Sequence, residues 1–218
     1  MITIDGQQKL LLNVARALNK RITVYAVGGT AMMFLGIKDT TVDIDLVFEN
    51  EKDKNIFKEA IKSLGYREIG TVTIYGAKRN HPEMLSLNDE RFDLFVVEVI
   101  DFIFSNTMQK RAESIHQFGD NLVLKIADPH DVIVMKCATD RIKDKDDARK
   151  IINSRKITWE ILIEEAKKQI ELGKERAAFE LGEFLEELKY KMKVDIPQEV
   201  LDELFEIVKN QAKEKQRK

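Results

Sequence analysis

The sequence predicts an α+β molecule in two parts, an α/β portion over about residues 1–128 and a helical portion over about residues 129–218. Three observations predict it. β-prone runs alternate with helical patterns in the first part. After Asp128-Pro129 the strand signal almost vanishes and helical spacing fills the remainder. No low-complexity or linker-like segment divides the two, so they are expected to pack together.

Composition sets the outer limits. The 218 residues are 44% hydrophobic and 34% charged, with ten glycines and three prolines, which is the balance of a folded chain with a real core. A formal net charge of −2 gives no global basic field for nucleic acid, although a local basic groove stays open. The single Cys137 excludes an intrachain disulfide and any multi-cysteine zinc site. MITIDGQQKL lacks the basic start and apolar core of a signal peptide, and no apolar run approaches bilayer length. The expected location is cytoplasmic.

The elements follow in chain order. Gln7 to Leu18 carries Leu10, Leu11, Leu12, Val14, Ala15 and Leu18 at helical spacing. Thr23 to Val27 is a short strand ending at Gly28-Gly29. Thr30 to Leu35 is a helix with Thr30 as its expected cap and Gly36 as its stop. Val42 to Phe48 is a strand, and Asp53 to Leu64 a charged amphipathic helix closed by Gly65. Strands are expected around Tyr66 to Thr71, Val72 to Lys78, Arg91 to Val97 and Asn121 to Ile126. Helices are expected over His130 to Thr139, Asp144 to Asn153, Thr158 to Leu172, Lys174 to Lys191 and Pro197 to Lys213. The last presents Val200, Leu201, Leu204, Phe205, Ile207 and Val208 as an apolar face, suited to a core, a partner or a dimer.

The strand VDIDLVF is chemically unusual. Alternation places Val42, Ile44, Leu46 and Phe48 on one face and Asp43, Asp45 and Val47 on the other, with the two carboxylates roughly 7 Å apart. Parallel carboxylates repel unless a cation sits between them. Mg²⁺ suits the position, because it takes oxygen ligands and is often held by one or two carboxylates plus substrate phosphates. Two such ions can serve phosphoryl transfer. Asp93, alone in the apolar run RFDLFVVEVI, is the candidate third ligand, since an unpaired charge there is costly. It also fits the commonplace of a lone acid near a strand end.

Gly28-Gly29-Thr30 offers the complementary feature. A strand, two glycines and a helix start present backbone N–H groups and a positive dipole end to an anion. Thr30 either caps that helix or binds a phosphate oxygen. A Gly-Gly turn before a helix is also an ordinary structural device.

Taken together, Gly28-Gly29-Thr30, a short helix, Asp-Ile-Asp at 43–45 and Asp93 resemble the nucleotidyltransferase superfamily with the polymerase-beta-like fold. GGTAMMFLGIKDTTVDIDLVF is most similar to small prokaryotic nucleotidyltransferases related to the abortive-infection toxins of toxin–antitoxin systems. Thr41 stands at that group's hydroxyl position, with Lys38 and Asp39 where it carries an arginine. The resemblance implies a polymerase-beta-like core, a mixed sheet with helices on one face, plus a C-terminal helical domain. It implies two Mg²⁺ ions held by Asp43, Asp45 and Asp93, and a nucleoside triphosphate as substrate. Asp93 would also help activate the acceptor hydroxyl. The acceptor would be RNA such as tRNA, a protein or a small molecule, and an antitoxin would be a possible partner.

A second basic motif lies in DPHDVIVMKCATDRIKDKDDARKI. Lys136 and Lys143 share a face if one helix runs between them, and Asp147 extends it. Its Lys, Arg and Lys-Asp-x-x-Asp order is similar to the toxin-related family, which implies nucleotide-phosphate contacts first for Lys136 and second for Lys143. A plainer reading makes Asp144 a helix cap with Asp146 and Asp147 in the first turn. His81, His116 and His130 lack metal-ligand spacing, and Cys137 reads as a small core residue. Alternatives to an enzyme are a regulatory nucleotide-binding or toxin–antitoxin module without turnover, and a nucleic-acid-binding scaffold.

Overall fold

The computed structural model describes residues 1–70, 80–139 and 141–216. The chain forms two compact units, Met1–Asp128 and Pro129–Lys218. Among the described residues no helix is long and apolar enough to cross a membrane.

In the first unit, β1 (Ile2–Thr3) leads into α1 (Ile4–Ala17), whose Thr3 hydroxyl accepts from the Gly6 N–H at 3.2 Å. That cap starts the helix three residues before the predicted Gln7. β2 (Ile22–Ala26), α2 (Gly28–Phe34), β3 (Thr40–Thr41) and β4 (Ile44–Phe48) follow. α3 (Glu51–Ser63) is capped by Asn50, which accepts from the Asp53 N–H at 2.9 Å, and ends before Gly65 at φ +98°. Next come β5 (Arg67–Ile69), β6 (Glu83–Leu87), β7 (Glu90–Val96), β8 (Glu98–Val99) and β9 (Phe102–Ile103). α4 (Asn106–Arg111), β10 (Ser114–Phe118) and β11 (Leu122–Ile126) complete the unit. Thr71 and the strand expected over Val72 to Lys78 lie outside the described residues.

The sheet runs β10-β11-β2-β4-β7-β6-β5, with β8 and β9 attached beyond β7. It is mixed: β11–β2 and β4–β7 are parallel, the other pairs along this order antiparallel. Ile44, Leu46 and Phe48 of β4 and Phe92 and Leu94 of β7 are buried. The Phe57 ring of α3 lies 5.4 Å from that of Phe48 and 5.7 Å from that of Phe92, while Tyr66 lies 5.3 Å from Phe92. Each such buried side chain contributes roughly 1.5–3 kcal/mol. One face of the central strands is therefore sealed by a helix, leaving the other for Asp45 and Asp93. Val42 does not join the sealed face. It sits in a bend before the strand and is 45% exposed.

The second unit is helical: α5 (Pro129–Lys136), α6 (Ile142–Ser154), α7 (Trp159–Glu171), α8 (Ala177–Tyr190) and α9 (Gln198–Gln216). Its core includes Val132, Ile133, Ile151, Leu162, Leu181, Leu185 and Leu204. Val200 and Leu204 of the last helix are buried, whereas Phe205 is exposed. One expected continuity fails here. The helix that begins at Pro129 stops at Lys136, so Lys136 and Lys143 stand on separate helices and share no helical face. The cap also differs: Arg141, with extended backbone, precedes α6, and Asp144 lies inside its first turn.

Candidate active site

The parallel pairing of β4 with β7 puts Asp45 directly opposite Asp93. Like charges facing each other across strands are unfavourable without a compensating cation. Asp43, in the bend just before β4, completes the group. One oxygen from each of Asp43, Asp45 and Asp93 lies within 4.8 Å of the others. Among the described residues these are the three acids grouped closely enough to hold a metal ion. Asp93 is fully buried, while Asp43 and Asp45 are half-buried.

The Gly-Gly turn shapes this cluster directly. Gly28 adopts φ +54°, a left-handed conformation that suits glycine. A Cβ there would sit 2.6 Å from Asp45 Oδ2. A Cβ on Gly29 would sit 2.6 Å from Thr41 Oγ1, and that hydroxyl donates to Asp43 Oδ1 at 3.3 Å. One glycine thus makes room for an acid, and the next for the residue that steadies the other acid.

Thr30 has a different task from the expected cap. Val27 precedes α2 as the capping residue, without a side-chain cap bond. Thr30 is fully buried, and its Oγ1 accepts the Asp45 N–H at 2.9 Å and the Gln7 Nε2 at 3.4 Å. The Asp45 carbonyl accepts from the Val27 N–H at 3.2 Å. The backbone of this metal-ligand candidate is therefore clamped on both sides by the turn and helix that precede it.

Sequence reasoning missed Arg91. Its Nε donates to Asp93 Oδ1 at 2.7 Å and its Nη2 to Asp93 Oδ2 at 3.2 Å. The same Nη2 donates to Asp43 Oδ2. The signal was present: Arg91 lies two residues before Asp93, hence on the same face of β7.

In the second unit, Lys136 is 9% exposed, and its Nζ donates to Asp144 Oδ1 at 2.6 Å and Asp147 Oδ2 at 2.9 Å. Thr139 also donates to Asp144, and Arg141 Nε reaches Asp144 Oδ2 at 2.7 Å. Burial alone would lower the Lys136 ammonium, but Asp144 and Asp147 outweigh it and hold it above the usual lysine value. Burial would raise the Asp144 carboxyl, yet Lys136 and the surrounding donors hold it below the usual range. Lys143 is exposed. Of the remaining candidates, His130 Nε2 accepts the Thr158 N–H at 2.9 Å, His116 packs tilted against Phe34 with ring centres 4.8 Å apart, and Cys137 is buried beyond the end of α5.

Residues 2–193 match the family described as "Nucleotidyltransferase of unknown function (DUF6036)". The chain belongs to this family. The nucleotidyltransferase match spans almost all of the first unit and most of the second. A search of curated proteins found no match. Among solved structures, ANT(2")-Ia in complex with adenylyl-2"-tobramycin is similar at a TM-score of 0.46 and 16% identity, over 83% of this chain and 97% of that one. The nucleotidyltransferase fold foreseen from Gly28-Gly29 and the Asp-Ile-Asp strand is thus what the chain adopts.

Proposed function

We propose that this nucleotidyltransferase moves a nucleoside monophosphate from a nucleoside triphosphate to an acceptor hydroxyl, with Mg²⁺ held by Asp43, Asp45 and Asp93. The observation that carries the reading is the convergence of those three carboxylates within 4.8 Å. Hard oxygen donors at that spacing suit Mg²⁺, and the guanidinium lying against two of them marks a place that demands positive charge. A bound divalent cation supplies charge neutralisation at the transferred phosphate.

The chain's own residues do the rest. The first-turn backbone N–H groups of Gly28 and Gly29 orient the triphosphate, since such groups lack intrahelical partners. Thr30 fixes the Asp45 backbone and acts on the phosphates only through that. Asp93 helps activate the acceptor hydroxyl, which gives up its proton. The acceptor oxygen then bonds to the α-phosphorus as the α–β phosphoanhydride bond breaks and pyrophosphate leaves. Positioning and electrostatics provide most of the acceleration. Phosphate contacts by Lys136 and Lys143 rest on the family resemblance. Of the two, Lys143 is an exposed residue, whereas the ammonium of Lys136 is taken up by Asp144 and Asp147.

The test is a transfer assay with each of the four labelled nucleotides and Mg²⁺, offering total tRNA, a protein mixture and the enzyme itself as acceptors. Label transfer that EDTA abolishes, and that Asp43→Ala lowers by at least about 100-fold, is the expected outcome. Asp43→Ala activity equal to that of the unaltered protein would remove the proposed site. Nucleotide binding with no transfer to any acceptor would point instead to a regulatory or toxin–antitoxin component.

A further inference from the structure

The three acids and Arg91 form one electrostatic unit. Three carboxylates and one guanidinium leave a formal charge of −2 in a partly buried patch between β4 and β7. The Arg91 side chain is 20% exposed, that of Asp43 15%, and that of Asp93 0%. Charge-assisted hydrogen bonds in such surroundings are strong, and the planar fork suits two carboxylates at once. The acceptors of that fork are oxygens of Asp43 and Asp93, two of the three residues on which a metal ion would depend.

We propose that Arg91 is a resident counter-cation for the metal site, competing with the divalent ion for Asp43 and giving up that contact when the ion binds. This rests on the metal-dependent reading above. Without metal, Arg91 offsets the repulsion between facing Asp45 and Asp93 and keeps Asp43 drawn toward them. With metal, Asp43 has a stronger partner, and Arg91 keeps its fork on Asp93. Arg91 is thus a positioning residue in the resting protein. It raises the metal concentration needed for loading, because its bond to Asp43 must be given up first.

The competition predicts the sign of a mutational effect. Arg91→Met keeps an unbranched apolar stem but removes the competing charge. Mn²⁺ binding, followed by the loss of its free electron-spin signal without any nucleotide present, should tighten by about tenfold, the scale of one charged hydrogen-bond contact given up. Metal-free Arg91→Met should also melt below the unaltered protein, and saturating Mn²⁺ should close much of that gap. Arg91→Lys, which retains a charge but cannot span both carboxylates, should bind Mn²⁺ with an affinity between the two. It carries the measurement if the methionine variant does not fold. Equal or weaker Mn²⁺ binding in the variant measured would overturn the competition and make Arg91 a support for the ligands instead. Failure of the unaltered protein to bind Mn²⁺, or unchanged binding in Asp43→Asn, would sink the metal reading itself.

Discussion

At the residue scale, Gly28 is the position where the smallest change should have the largest effect. Its φ of +54° strains any L side chain, and a methyl group there would press against Asp45 Oδ2. Gly28→Ala should lower turnover by about 100-fold through displacement of Asp45, since shifts of about 1 Å near reacting groups have effects of that size. Gly29→Ala should act through Thr41 on Asp43 and be milder, because the backbone there is not left-handed. Turnover of the two alanine variants, with circular dichroism to confirm folding, checks this. A fully active Gly28→Ala would mean that Asp45 has slack the structure does not show. The glycines and acids were legible in the sequence as two ends of one site. Their direct contact was not, because a missing Cβ matters only once the partner's side chain is placed.

At the element scale, regular patterns were legible and irregular ones were not. The strands over Ile44–Phe48, Glu90–Val96 and Leu122–Ile126 match their alternation within a few residues. β1, β3, β6, β8, β9, β10 and the short helix α4 went unforeseen. β6 and β7 are joined at Asn88 and Asp89, with Asn88 at φ +55°, a tight turn written without the glycine that usually announces one. Lys136 was likewise conspicuous in an apolar run, but its partners come from the next helix and only the turn after α5 brings them round. Because that ammonium is buried between Asp144 and Asp147, Lys136→Met should reduce unfolding free energy by about 3 kcal/mol. Urea denaturation measures it. A loss below about 1 kcal/mol would show that the Arg141 charge and the Thr139 hydrogen bond suffice to hold Asp144 without the lysine.

At the scale of the whole molecule, carboxylates held below their ordinary values govern the response to acid. Hydrogen bonds from Lys58 and Lys62 hold Glu68 down to about 2, against 4.5 in a free chain. Asp144 is also lowered from 3.8 by the partners that outweigh its burial. A group whose folded value is depressed adds stability above its unfolded value and loses it as pH falls toward the folded one. Stability should therefore be nearly level from pH 7 to about 5 and decline between about 4.5 and 2, with Asp144 the larger contributor because Glu68 is half-exposed and screened. Denaturation midpoints at pH 7, 5, 4 and 3 check the shape, and an unchanged midpoint at pH 3 would contradict it. The placement of β4 carries one last consequence. Among the described residues it is the middle strand of the seven in sheet order, with β7 beside it and β5 and β10 at the ends of that order. Fraying begins at edges, where backbone groups are zipped on one side only. The strands bearing Asp45 and Asp93 are thus among the last to part, and breathing at the rim leaves the two acids at their fixed spacing.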